Sequence, residues 1–202
     1  MKIIKTTLLL ILINLLLSGC TNKAKKINEL EIRAVYLKAQ YFDNNDSIHK
    51  ALNLMKSAYL LDSNRISTNI NLTSINSILK DYSKVIYYSR KILQEDENSA
   101  EAMVELGVTY ERLLKMDSAK IYYKSAYNTF IKRPQNKELK KVSDMGDAAY
   151  MIVLMENDTA KALNFIKEKL RATNNRDAKW MYDQSINMIK TVDRKTYVKK
   201  FQ

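Results

Sequence analysis

Small and apolar residues recur every 34 positions through the middle of this chain. Ala51, Val85 and Ala119 form one series, and four further series keep the same interval. Five series in register indicate a repeated structural unit, in which each copy buries its apolar face against the next. The other series are Leu54 with Tyr88 and Tyr122, Ala58 with Ile92 and Ala126, Tyr59 with Leu93 and Tyr127, and Ala39 with Thr73 and Gly107.

The composition indicates that this unit is helical. The chain has 202 residues, of which 46% are hydrophobic, and this share is enough for a core. It contains only 3 glycines and 1 proline, too few for the frequent turns of a β-sandwich or barrel. We therefore predict an all-α fold, with long helices joined by polar turns in one domain over residues 31–193.

The clearest copy of the unit begins near residue 100. Its marked positions are Met103, Leu106, Gly107, Tyr110, Ala119, Tyr123 and Ala126. Leu106 and Tyr110 share one helix face, while the small Gly107 allows a second helix to approach closely. This pattern resembles the tetratricopeptide repeat (TPR). The resemblance implies a TPR-like α-solenoid of about 3–4 helix-turn-helix repeats plus a C-terminal capping helix.

The repeat interval also predicts the unit boundaries. The first unit keeps Ala39 and Phe42 before Ala51, whereas the second has Asn76 where a Tyr is expected. Pro134 marks a break after the third unit, and Trp180 belongs to a terminal helix that would shield the last pair. The predicted segments are units at about 32–65, 66–99, 100–133 and 143–176, a capping helix at 177–192, and a basic tail at 194–202.

The first twenty residues have the features of an export signal. Lys2 and Lys5 precede an apolar stretch that is too short to span a membrane, and Leu17-Ser18-Gly19-Cys20 follows. This sequence resembles the lipobox of bacterial lipoprotein precursors. The resemblance implies that residues 1–19 are a signal peptide and that Cys20 receives a covalent lipid. The alternative is an ordinary cleaved signal in which Cys20 occurs by chance.

Residues 20–30 are predicted to form a polar, lipidated tether. Its Lys23, Lys25 and Lys26 either contact anionic lipid headgroups or belong to a merely soluble leash. In lipoproteins of enterobacteria, an Asp directly after the acylated Cys is associated with retention in the inner membrane. In some Bacteroidetes lipoproteins, an acidic run after this Cys is associated with export to the cell surface. The residues directly after Cys20 show neither feature. We therefore expect a membrane-anchored lipoprotein, on the outer membrane and facing the periplasm.

The residue inventory argues against most catalytic and cofactor chemistry. The chain has 1 His (His49) and 1 Cys, and we find no phosphate-binding, nucleophile-elbow or zinc-protease motif. We expect no enzymatic activity, no metal, no cofactor apart from the covalent lipid, and no small-molecule substrate. The formal net charge of +12 favours anionic partners, but export makes nucleic acid the least expected among them.

A peptide-binding groove is implied by the TPR resemblance, because the first helix of each repeat lines the concave side of such arrays. The groove would suit an extended or helical peptide of another envelope protein. Its candidate residues are Tyr36, Gln40, Asn44, Asn71, Ser74, Glu105, Val108, Glu111 and Arg112.

Three Asp-Ser/Thr-apolar triplets fall at predicted turns between helices. They resemble the acceptor for periplasmic O-glycosylation in Bacteroidetes, which would make Ser47, Ser118 and Thr159 possible glycosylation sites. The alternative, which we favour, is that these Asp, Ser and Thr residues cap helices.

These observations predict a protein–protein interaction scaffold, anchored to a membrane of the bacterial cell envelope. The rival hypothesis is a basic envelope lipoprotein that binds an anionic polymer, such as lipopolysaccharide or a peptidoglycan-linked glycan. Steep salt dependence of binding would favour the rival.

Overall fold

The structure is a computed structural model that describes residues 22–134 and 138–191. The predicted signal peptide, Cys20 and the basic tail at 194–202 lie outside these residues. All regular secondary structure in the described part is helical, which confirms the all-α prediction. The helices are α1 (22–40), α2 (Asn45–Leu61), α3 (Ile66–Ile78), α4 (Tyr82–Glu95), α5 (Ala100–Arg112), α6 (Met116–Lys132), α7 (Glu138–Glu156), α8 (Thr159–Arg171) and α9 (Arg176–Thr191).

The chain forms two compact units. The first, Met1–Leu79, contains α1 to α3, and the second, Lys80–Gln202, contains α4 to α9. In the second unit each helix packs against the next in sequence, and α9 also packs against α7. Packing between sequence neighbours is the arrangement of an α-solenoid. The interval of 34 residues is the same on both sides of residue 79, so the sequence pattern does not indicate the boundary between the two units.

The recurrence predicted from sequence is present in the burial pattern. Ala51, Val85 and Ala119 are all 0% exposed, and they lie on α2, α4 and α6. The residues seven positions further along, Ala58, Ile92 and Ala126, are also buried. Because residues seven apart lie on one face of a helix, each of these helices buries the same stripe.

The turns between successive helix pairs repeat as well. Asp62 and Asp96 both end a helix in an extended conformation, and their amides donate to the carbonyls of Ala58 and Ile92. Their carboxylates accept the amides two residues ahead, at 3.2 Å and 3.1 Å. Residues 34 positions apart thus adopt the same backbone conformation and make the same hydrogen bonds.

Helix α1 departs from the predicted register. It includes residues 22–30, which were assigned to the tether, and it buries Ile27, Glu31 and Ala34 at a spacing that continues one helix face. The helix ends at residue 40, so Phe42 falls in the turn before α2 and is 69% exposed. Ala39 is exposed too, rather than packed at a close helix contact. The first predicted unit therefore matches the repeat in α2 but not in α1.

The core of the second unit is centred on α7. This helix is buried along much of its length because α6, α8 and α9 all pack against it. It begins at Glu138, five positions before the predicted fourth unit at 143. Helix α9 contributes Ile186 and Ile189 to the core, whereas Trp180 on the same helix is 64% exposed. The α7 residues in this core are Val142, Met145, Ala148, Ala149, Tyr150, Met151, Ile152, Val153 and Leu154.

Within 22–134 and 138–191, no helix is both long enough and apolar enough to cross a membrane.

Candidate functional site

The groove candidates of the first unit divide into exposed residues and residues engaged in local hydrogen bonds. Tyr36 and Gln40 are exposed on α1. Asn44 is the N-cap of α2, and its side chain accepts the Ser47 amide at 2.9 Å. An amide side chain at this position satisfies a backbone donor that would otherwise have no partner. Helix capping therefore accounts for an Asn at position 44 without a role in binding.

The two candidates on α3 are engaged as well. Asn71 Nδ2 donates to the Ser67 carbonyl at 3.0 Å, within the same helix. Ser74 Oγ accepts Lys38 Nζ at 3.1 Å, which joins α3 to α1. Both side chains are half-buried. Of the first-unit candidates, only Tyr36 and Gln40 are fully available to a ligand.

Val108 is not a groove residue. It is 2% exposed and belongs to the core of the second unit, together with Ala119 and Tyr123. Helix α5 packs against both α4 and α6, so the face that carries Val108 is covered by protein. A ligand at the surface cannot reach this side chain.

The other three α5 candidates share a partly buried polar surface with Tyr82 of α4. The Arg112 guanidinium carbon lies 5.7 Å from the centroid of the Tyr82 ring. Burial lowers the pKa of Arg112, while Tyr82 and Glu105 oppose that change. Burial likewise raises the pKa of Glu105, and the charge of Arg112 limits the rise. We call Tyr82, Glu105, Glu111 and Arg112 the α5 surface.

Glu111 has a second role within this surface. Its Oε2 accepts the hydroxyl of Tyr123 at 2.9 Å, and Tyr123 is 0% exposed. The hydrogen bond from the buried Tyr123 hydroxyl therefore restricts the position of the Glu111 carboxylate in the α5 surface. A preorganised cation beside an aromatic ring and two carboxylates can bind the polar groups of a peptide.

A second charged cluster, which the sequence analysis did not identify, joins α5, the end of α6, and α7. Arg133 contacts both carboxylate oxygens of Glu101, at 2.9 Å and 2.8 Å. It also reaches Asp144 at 3.4 Å, and Lys140 reaches the same carboxylate oxygen at 2.9 Å. The Asp144 side chain is 0% exposed, so its two cations compensate a buried charge. We call these residues, with Asp147, the Glu101 cluster.

Asp147 is the strongly perturbed carboxyl of this cluster. Its side chain reaches solvent, yet much of it is surrounded by protein. This burial, together with the charge of Asp144, raises the pKa of Asp147 to about 6. Only the Lys140–Asp144 pair, four residues apart on one helix, was visible in the sequence. Glu101 and Arg133 are 32 residues apart, and this spacing in the sequence does not predict that their side chains meet.

The proposed glycosylation residues lie at helix starts and are half-buried. The capping alternative holds for one triplet: Asp158 caps α8 and accepts the Lys161 amide at 2.8 Å. In the other two, the N-caps are Asn44 and Lys115, and the Asp and Ser residues follow in the first turn. Capping therefore does not explain Ser47 or Ser118, whose glycosylation stays a prediction, as does that of Thr159.

His49 lies exposed on α2. In the described residues, no three His, Cys, Asp or Glu side chains are grouped so that they could hold a metal ion.

Compared with known proteins, the chain matches no family model and no curated protein.

Proposed function

We propose that this protein is a lipoprotein of the bacterial cell envelope whose TPR-like helix pairs bind another protein. The observation that carries the proposal is the recurrence at 34 residues of both buried positions and turn hydrogen bonds. A repeat of this length, built from two helices, is typical of TPR arrays, and such arrays present binding surfaces to partners.

The sequence supports the membrane anchor. Leu17-Ser18-Gly19-Cys20 follows a short apolar stretch with a basic start. Acylation of Cys20 would hold the protein on a membrane, which we propose is the outer membrane with the helical units facing the periplasm. Two or more acyl chains, at about 0.8 kcal/mol per buried CH₂, make such anchoring stable.

The α5 surface is the proposed binding site for a protein segment. It combines a half-buried Glu105, an Arg112 beside an aromatic ring, and a Glu111 held by the core. Partly desolvated charges discriminate strongly between partners, because a partner that leaves them unpaired is penalised. A polar peptide segment that offers both a donor and an acceptor fits this arrangement.

The test is crosslinking of the full-length, membrane-bound protein, followed by mass spectrometry of captured proteins. The test variant carries Glu105→Ala and Arg112→Ala, and the matched control carries Glu97→Ala and Lys120→Ala, two exposed residues of the same charges. We expect one defined protein to be lost from the test variant and retained by the control. Thermal unfolding of both variants checks that they remain folded.

The alternative function, binding of an anionic polymer, has one observation in its favour: the formal net charge of +12. Recovery of lipopolysaccharide or glycan alone would contradict the scaffold proposal. The same conclusion would follow if binding were unchanged in the test variant and abolished by 0.5 M salt, a concentration that screens charges beyond about 4 Å.

A further inference from the structure

Helix α1 has an exposed apolar stripe on the side away from its buried residues. Ile32 is 69% exposed, Tyr36 is 56% exposed, and Val35 and Ala39 are exposed beside them. These residues stand at positions i, i+3, i+4 and i+7, so they form one continuous line along the helix. The buried face, which contains Ile27, lies on a different side of the helix.

Basic residues border this stripe. Lys25, Lys26 and Arg33 are all exposed on α1. Glu29 is the only exposed acidic residue in the described part of the helix, since the other acid, Glu31, is 9% exposed. Glu31 is moreover held by Arg65, Ser67 and Thr68. The exposed surface of α1 is therefore apolar from Ile32 to Ala39, with Lys25 at the N-terminal end of this stripe and Lys26 and Arg33 along one side of it.

The position of α1 in the chain brings this surface close to the proposed anchor. The described helix begins at residue 22, two positions after Cys20. Two residues span at most about 7 Å. A lipid attached to Cys20 would therefore hold the first turn of α1 within the headgroup region of the bilayer.

We propose that α1 lies along the surface of an anionic membrane, with Ile32, Val35 and Tyr36 at the boundary of the acyl chains. Lys25, Lys26 and Arg33 would then contact anionic headgroups. The inference deepens the proposed function and rests on its acylated Cys20 for location. It also assigns Tyr36 to the membrane rather than to a peptide groove, and it gives the first unit a defined orientation on the bilayer.

Charge decides between the possible occupants of this surface. A second copy of α1 would bring Lys25, Lys26 and Arg33 of both helices to one interface, and this repulsion between like charges is unfavourable. An anionic bilayer complements both features, because its interface accepts apolar side chains and its headgroups attract Lys and Arg. The Tyr36 ring, with one apolar and one polar end, also suits this interface.

The experiment uses the mature acylated protein, purified from bacterial membranes and reconstituted in vesicles of phosphatidylethanolamine and phosphatidylglycerol. Cys20 is the only cysteine, so an Ile32→Cys substitution supplies the one free thiol for an environment-sensitive fluorophore. We expect a blue-shifted emission that brominated phospholipids quench. Vesicles of phosphatidylcholine alone should give a smaller shift.

Removal of charge tests the role of the basic residues beside the apolar stripe. In a Lys25→Gln, Lys26→Gln, Arg33→Gln background, we expect the blue shift to fall at least severalfold. A matched control, Lys50→Gln, Lys56→Gln, Lys124→Gln, removes the same charge at exposed positions on other helices and should leave the shift unchanged. Equal effects of the two triple variants would overturn the proposed headgroup contacts.

Two further outcomes would overturn the proposal. Emission identical to that of an exposed label, such as one at Glu97→Cys, would mean that α1 does not touch the bilayer. A blue shift that brominated lipids do not quench would mean that protein, a second copy or a partner, covers the stripe. Failure of the anchor is distinguishable, since an unacylated Cys20 would show in the intact mass. The labelled helix can then still be tested on added vesicles in a Cys20→Ser chain.

Discussion

Gly107 lies directly against the ring of Tyr123, so close that a Cβ atom at position 107 would overlap the ring. Tyr123 cannot retreat, because it is 0% exposed and its hydroxyl donates to Glu111. Gly107 is on α5 and Tyr123 is on α6, and these helices pack against each other. The missing side chain at Gly107 is therefore the condition for their close approach.

We expect Gly107→Ala to destabilise the protein by about 1–3 kcal/mol, the usual cost of overpacking, despite the better helix propensity of Ala. Urea unfolding followed by circular dichroism measures the change. Gly146→Ala is the matched control, because its Cβ would meet only Ser185, with Oγ at 2.8 Å and Cβ at 3.6 Å, and the serine hydroxyl can rotate away. Equal losses in the two variants would contradict the account of the α5–α6 contact.

Leu114 occupies the turn between α5 and α6 with a φ of 58°. This left-handed conformation disfavours a side chain, and at 88% exposure Leu114 gains little packing in return. We expect Leu114→Gly to stabilise the protein by about 0.5–1 kcal/mol. Leu113→Gly, at a φ of −83°, should destabilise it. A lower melting temperature for Leu114→Gly than for the unmodified protein would show that no strain is relieved.

Glu31 joins α1 to the start of α3. Burial alone would raise the pKa of Glu31, but hydrogen bonds from Thr68, Ser67 and Arg65 outweigh it and hold this pKa below 4.5. Because the folded pKa lies below the unfolded one, the carboxylate stabilises the fold at neutral pH, and this stabilisation is lost as pH falls below about 4.5.

Glu31→Gln should therefore cost about 1.5–3 kcal/mol at pH 7, the range for hydrogen bonds to a charged group. Unfolding measured from pH 7 to pH 3 should show the difference shrinking as the native carboxyl is protonated. Glu29→Gln, two positions away and exposed, is the control and should change little. A constant difference across this pH range would contradict the assigned role.

The pKa of Asp147 is shifted upward, in the opposite direction to that of Glu31. Its pKa is raised from 3.8 to about 6, so the fold favours the neutral form. The stabilisation is complete below pH 3.8 and is lost as pH rises through about 6. Because the side chain reaches solvent, we expect Asp147→Asn to be only about 1 kcal/mol more stable than the unmodified protein at pH 7.5. The advantage should vanish near pH 4. Asp117→Asn, at an exposed site, should show no such trend.

The sequence was sufficient to predict the parts of the fold that depend on periodic burial. Ala51, Val85 and Ala119 were identified as equivalent by interval alone, and they are equally buried. A small residue at an apolar stripe signals close packing wherever it recurs. The repeat interval therefore predicted the buried positions of α2, α4 and α6, but not those of α1.

The buried face of α1 escaped prediction because it includes Glu31, a residue that a hydrophobicity pattern does not count. The Ala39 interval was a coincidence of spacing at a position that proved exposed. At the candidate site, the burial of Val108 was not anticipated and the Glu101 cluster was not identified, for a related reason. Burial of Val108 and the pairing of Glu101 with Arg133 both depend on which helices are neighbours in space, and one sequence does not specify this.

The central claim, a protein bound to a membrane through Cys20, is tested most directly by the intact mass of the protein purified from bacterial membranes. We predict a chain that begins at Cys20 and carries a diacylglyceryl group on its thiol and an acyl chain on its amino terminus. Mild base, which hydrolyses the two ester-linked acyl chains but not the amide, should shift the mass to that of residues 20–202 with a glyceryl thioether on Cys20 and the amide-linked acyl chain. A free thiol at Cys20, or a mature chain that begins after this residue, would contradict the claim.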